Sequence, residues 1–160
     1  MAARMFLKLA GIPGESLDAK HKGEIDILGW SWGVADTPAT SGGGGAAAAK
    51  ANFRQLSVQK LLDLSSAPML AAVAKASHIA TATLTVSTTG GTPEEFLALN
   101  MKDVLITSVS IAESPADNRP VETVSLTFGQ IDFEYTEFSA AGAKGATNNF
   151  KWDITTNRAS

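Results

Sequence analysis

The chain has 160 residues and a mass of 16.6 kDa, which suits one domain and leaves little room for a second core. Lys and Arg number 13 against 16 Asp and Glu, a net charge of −3 that disfavours a broad phosphate-binding surface, while 44% hydrophobic residues suffice to fill a core. Cysteine is absent, which excludes disulfides, thiolate nucleophiles and Cys-ligated zinc, and two histidines leave little material for a His-based metal site.

The chain opens with MAARMFLKLAGIPGE, whose apolar-leaning run at 5–9 is broken by Lys8. A secretory leader needs about 7–15 apolar residues, and a bilayer span roughly 18–20; neither is found. The expectation is a protein folded in the cytoplasm, without membrane insertion, which reaches the outside by a route that reads no cleaved leader. At 24–34 an alternating strand changes face: Ile25 and Ile27 share one parity, Trp30, Trp32 and Val34 the other, with Gly29 between. A one-residue slip of a period-2 pattern predicts a β-bulge. Parity also puts both indoles on one face and Ser31 on the other. The stretch PATSGGGGAAAAKAN at 38–52 is the least strand-like. It reads as a surface loop, or as a long hairpin arm that orders only against another subunit.

A helix is predicted over about 65–78. Ser65 or Ser66 caps it, Pro68 lies in its first turn, Met69, Leu70, Val73 and Ala74 form an apolar face, and Lys75 and His78 lie near its C-terminal end. Strands follow in Ala82-Leu84-Val86, Leu97-Leu99-Met101 and Leu105-Thr107-Val109-Ile111, then at 121–135 and in Phe150-Trp152-Ile154. The 121–135 strand changes face, with Val124, Leu126 and Phe128 giving way to Ile131, Phe133 and Tyr135 across Gly129-Gln130, where a second bulge is expected. Polar turns at 88–95, 113–120 and 139–149 separate the runs. The fold class is mainly β: an antiparallel barrel or two curved sheets, with one short side helix. Trp30, Trp32, Phe128, Tyr135 and Trp152 are its expected core markers.

Chemistry-bearing constellations are few. His21 and His78 stand in no metal-ligand spacing and read as surface or helix-end residues. Glu94 and Glu95 follow Thr92-Pro93 at a turn and read as solvated. Asp132 and Glu134 alternate with apolar residues, which places both on the outer face of one strand; a glycosidase-like pair there is the enzyme alternative. The glycines at 42–45 lack the Lys-Ser/Thr ending of a phosphate loop, and there is no GxSxG. No catalytic residue, cofactor or metal is assigned, and no nucleic acid is expected as a partner.

Taken together, FLKLAGIPGES at 6–16, EIDILGWSWG at 24–33, KASHI at 75–79, NRPVETVSLTF at 118–128, IDFEY at 131–135 and KWDITTN at 151–157 resemble the haemolysin co-regulated protein (Hcp) family, tube subunits of the bacterial type VI secretion system. The likeness runs in unbroken order from about residue 5 to 157. SVQK at 57–60 departs from the commoner wording, with Val58 where an aromatic is usual, and the segment after Gly45 is unusually alanine-rich.

The resemblance implies one Hcp-like domain over 1–160, with an extended loop at about 36–52; some members carry a toxin domain after the barrel, and none is expected in a sequence that stops at Ser160. It also implies homohexameric rings that stack into a tube inside a contractile sheath, carry a spike protein at the tip and effectors in the lumen, and are expelled to the extracellular space or a target cell. Physical scale agrees: a domain of this size is about 40 Å across, and six touching spheres leave a hole as wide as one of them. Ser31 is the expected lumen contact, and Ser41, Gly42, Gly43, Gly44, Gly45 and Lys50 the expected inter-subunit arm, whose loss by deletion of 42–49 should weaken ring closure or stacking. The alternatives are a small-ligand-binding β-barrel and a phage-like tail tube protein.

Overall fold

The computed structural model describes residues 3–36, 51–113, 115–116, 118–139 and 141–160. Apolar alternation sets the strands. β1 (Ala3–Leu9), β2 (Ile25–Ile27), β3 (Gly29–Ser31), β4 (Val34–Asp36), β5 (Ala51–Phe53) and β6 (Leu56–Leu61) precede helix α1 (Ser66–Ala74). Beyond it lie β7 (His78–Thr88), β8 (Glu95–Ala112), β9 (Val121–Phe138), β10 (Lys144–Asp153) and β11 (Arg158–Ala159). All pairings are antiparallel.

Two curved sheets share one core. The first runs β11-β10-β9-β8-β7-β1-β2. The second is built on the far halves of the two longest strands: β9 pairs β10 through residues 130–138, hands over, and pairs β6 through 121–126, while β3 lies on the other edge of β6. No ladder joins β2 to β3; the chain itself turns that corner at Leu28, which is 52% exposed between buried Ile27 and partly buried Trp30. Met5, Leu7, Leu9, Leu84, Leu99, Met101 and Ile131 of the first sheet meet Leu56, Val58, Val104, Ile106, Val124 and Leu126 of the second.

The face changes expected at Gly29 and Gly129 both occur, but the second is not a bulge. The β8–β9 register is continuous there, with Met101 opposite Ile131, Lys102 opposite Gln130 and Val104 opposite Phe128. Both strands turn over together: Asp103 takes a left-handed φ of 53°, and a Cβ on Gly129 would stand 3.1 Å from Thr155 Oγ1 and 3.3 Å from Asp103 Cβ. Crowding, not φ, selects that glycine. The register shift lies instead between Ile106 and Ser108. It corrects the parity expected for 105–111: Val104 and Ile106 point inward, Thr107 is the extra residue, Val109 returns to the core and Ile111 is 48% exposed.

The helix also departs from expectation. It ends at Ala74, Lys75 caps it, Ala76 takes a left-handed φ of 49°, and His78 opens β7. Its buried residues are Ser66, Met69 and Ala72, with Val73 against the core, whereas Leu70 and Ala74 face outward. Ser65 occupies the N-cap without a side-chain cap; its hydroxyl donates to Asp63 Oδ1 at 2.5 Å.

Candidate functional site

Inward parity on β6 and β9 dictates what their outer face carries. Leu56, Val58 and Lys60 point in, so Ser57 and Gln59 point out; Glu122, Val124 and Leu126 point in, so Thr123, Ser125 and Thr127 point out. Ladder register then aligns the outward residues across four strands. Ser31 pairs Ser57, Ser57 pairs Ser125, and Ser125 pairs Ser108; one row further, Gly29 pairs Gln59, Gln59 pairs Thr123, and Thr123 pairs Ser110. The bulge residue Thr107 joins this face, its hydroxyl 3.0 Å from Gln55 Oε1 and 3.2 Å from the Ser125 carbonyl. Ser31 is exposed and, with Gly29, Trp30, Ser57 and Gln59, lines a depression of about 300 Å³. These rows hold hydroxyls, an amide and glycine, and no charge. Such a wall offers hydrogen bonds without an electrostatic preference.

Directly beneath lies a buried ionic cluster that the strand pattern did not lead us to expect. Lys60 and Glu122 are both 0% exposed and are paired through Nζ and Oε2. Lys60 Nζ also reaches Asp63 Oδ1 at 2.9 Å, the Leu61 carbonyl at 2.9 Å and Ser66 Oγ at 3.2 Å. Ser66 Oγ donates to Glu122 Oε2 at 2.8 Å and accepts from the Asp63 amide, so the first residue of α1 is tied to β6 and β9 together. Glu122 Oε1 has no partner among the described residues. The signal was available: Lys60 and Glu122 each occupy an inward position of an otherwise apolar alternation.

Trp30 and Trp32 are partly buried against the core. Trp32 contacts the rings of Phe53 (6.4 Å), Phe128 (6.1 Å) and Phe133 (6.4 Å), and Phe53 continues the seam to Phe150 and Trp152. Trp32 thus fills space between β5 and β9, and Phe53 carries the seam on to β10. Phe128 is buried and Trp152 partly buried, but Tyr135 is a correction: it is 44% exposed, because β9 and β10 run on beyond the opposing sheet and leave its ring uncovered. Phe150, opposite Phe133, is exposed for the same reason. The arm residues Ser41, Gly42, Gly43, Gly44, Gly45 and Lys50 lie outside the described residues; β4 and β5, on either side, pair with Val34 opposite Phe53 and Asp36 opposite Ala51.

His21 is a second correction. It is buried, stacked on Phe6 with centroids 4.2 Å apart, and has Nδ1 2.9 Å from Glu24 Oε2 and Nε2 3.3 Å from Glu95 Oε1. Sequence distance hid the Glu95 contact. The 13–24 loop folds back over β1: a Cβ on Gly14 would lie 2.4 Å from the Glu24 carbonyl oxygen, so only glycine allows that approach. Asp18 holds the loop's turn. Its carboxyl lies below the ordinary carboxylate value because the Lys20 amide donates to it at 2.9 Å, helped by the His21 amide and Arg4 against the opposing effect of burial. Asp153, at the β10–β11 turn, is lowered chiefly by the Thr156 amide.

Asp132 and Glu134 do point outward; Asp132 borders one depression with Lys151 and Glu134 another with Lys144. His78 is exposed at the start of β7. Among the described residues no group of His, Asp and Glu is arranged to hold a metal ion, and no helix is long and apolar enough to cross a membrane.

The architecture is that of a two-sheet β protein with a flanking helix. Residues 6–135 match the family described as type VI secretion system effector, Hcp. Protein hcp1 of Pseudomonas aeruginosa is 38% identical over 159 residues, 98% of each chain. Among solved structures, a type six secretion system protein superposes with a TM-score of 0.91 at 27% identity, covering 99% of this chain and 100% of the other. Hcp1 from Salmonella typhimurium gives a TM-score of 0.79 at 29% identity with complete coverage of both, and a type VI secretion system effector from Yersinia pestis gives 0.74 at 29%, covering 94% and 99%. The chain belongs to the Hcp family of type VI secretion system proteins.

Proposed function

We propose that this protein is the structural subunit of a type VI secretion inner tube. Six copies close a ring through unlike patches, rings stack within a contractile sheath, and contraction drives the tube out of the cell with a spike at its tip and effectors in its bore. The protein acts without catalysis and leaves the producing cell as part of the expelled tube.

The observation that carries the reading is the uncharged hydroxyl face built on Ser31, Ser57, Ser125 and Ser108. A wall that must hold varied cargo and then release it is well served by many weak hydrogen bonds, each worth about 1 kcal/mol or less against water. The segment at about 36–52 is the proposed arm to the next subunit.

Ring formation is tested by light scattering and negative-stain microscopy, with annular particles of about 100 kDa, six copies of a 16.6 kDa chain, as the expected result. A protein that stays monomeric at every concentration refutes the assembly. Ser31→Arg should leave rings intact and impair cargo retention; rings that no longer form would place Ser31 in a subunit contact instead.

A further inference from the structure

We propose that the cleft between β1 and the two loops around Gly11 and Lys22 is a docking site for an acidic segment of a partner protein. Lys8, Lys20 and Lys22 line this cleft, whose volume is about 420 Å³, together with Leu9, Ile12 and Gly23. One acid, Glu24, also lines it, with Oε2 2.9 Å from His21 Nδ1, so the three lysines outnumber it. Lys8 and Lys22 are exposed and make no ion pair or hydrogen bond with the described residues, while Lys20 is anchored on the Pro93 carbonyl at 3.0 Å.

The basic surface continues across the outer face of the first sheet. Lys8 stands opposite Thr83, and Thr81, on the same face of β7, stands opposite Lys102, which is also exposed and unpaired among the described residues. Strands spaced about 4.8 Å apart put the Lys8 and Lys102 backbones on the order of 10 Å apart, close to two turns of a helix carrying carboxylates on one face. Of the nearby acids, Asp18 is paired with Arg4 at 2.6 Å and Asp132 lies 3.7 Å from Lys151, while Asp26, exposed on β2 opposite Phe6, and Asp103, exposed next to Lys102 in the chain, offset part of the positive charge.

Lys8, Lys22 and Lys102 thus stand on one face without ion-pair partners among the described residues, in a chain whose net charge is −3. Three free ammonium groups with room for side chains between them suit glutamate-rich protein, whereas a polyphosphate chain is held by a longer run of Lys and Arg. The face is the outside of the first sheet and the serine rows are the outside of the second, so the inference does not depend on cargo binding.

The test is calorimetric titration of the full chain, in whatever assembly it adopts, with hexaglutamate at about 20 mM NaCl. Wild type should bind, binding should weaken steeply as salt rises, and Lys8→Ser/Lys22→Ser should weaken it at least tenfold. The charge-matched Lys75→Ser/Lys144→Ser should bind like wild type. All four lysines are exposed, and near-UV circular dichroism checks that each variant keeps its fold. Equal loss in both double variants, or no binding by wild type, overturns the site. Equal or tighter binding of inorganic phosphate or hexathymidylate, abolished by the same Lys8/Lys22 pair, overturns the protein partner.

Discussion

The Lys60–Glu122 cluster makes an asymmetric prediction. Removing one member of a buried ion pair costs about 3–5 kcal/mol, because the other charge is left without compensation. The two members differ in what remains. Glu122→Leu leaves the ammonium of Lys60 with Asp63 Oδ1, the Leu61 carbonyl and Ser66 Oγ, all within 3.2 Å. Lys60→Met leaves Glu122 with Ser66 Oγ alone and puts a second carboxylate, Asp63, in the same small volume with no cation. Lys60→Met is therefore expected near 5 kcal/mol, and Glu122→Leu at about 3 kcal/mol or below. The double variant, with two apolar side chains of similar volume, should recover most of the loss. Urea unfolding at one low protein concentration reads this directly. With a slope near 2 kcal/mol/M, Lys60→Met should shift the midpoint by roughly 2.5 M and Glu122→Leu by about 1.5 M. Equal losses, or a double variant no better than Lys60→Met, would refute the reasoning.

Gly14→Ala should lift the 13–24 loop from β2, because its Cβ would meet the Glu24 carbonyl at 2.4 Å; a loss of about 1–3 kcal/mol is expected, read as a Tm drop of roughly 2–4 °C per kcal/mol. The native carboxyl of Asp18 is lowered from 3.8, so its stabilisation is complete above that pH and is lost as pH falls through the lower native value; Asp18→Asn should leave a shallower acid limb, and an unchanged acid transition counts against the Asx turn.

Period-2 patterning made the strands and their inward residues readable, because burial on one face leaves a mark on every second position. Ile25, Ile27, Val124, Leu126, Phe128 and Ile131 all point where alternation placed them. Long-range facts were not readable in the same way. A paired turnover at Asp103 and Gly129 looks identical, in one strand, to a bulge; only the partner strand distinguishes them. Tyr135 satisfies the inward parity yet is exposed, since parity says which way a side chain points and not how far the opposing sheet extends. In α1, four apolar residues competed for one face, and the polar Ser66 took the buried position because Glu122 and Lys60 wait beneath it.

The hydroxyl face and the buried ion pair are two sides of one constraint. Register fixes Ser57 opposite Ser31 and Ser125, and the same register fixes Lys60 opposite Glu122 on the inner side. A one-residue slip between β6 and β9 would bury the serines, expose Leu56 and Val58, and separate the charges in a single step. Apolar alternation already opposes that slip, but a two-residue slip keeps every parity, and apolar pairs alone tolerate it more readily, since Val and Leu pack acceptably against many neighbours. A buried lysine does not, because its partner must be one particular carboxylate. In this protein the ionic cluster thus locks the strand register, and the register sets the chemistry of the outer face. Loss of the pair in the double apolar variant should therefore leave stability nearly intact while broadening the amide resonances of Ser57 and Ser125. Sharp, unshifted resonances there would show that apolar packing alone suffices to hold the register.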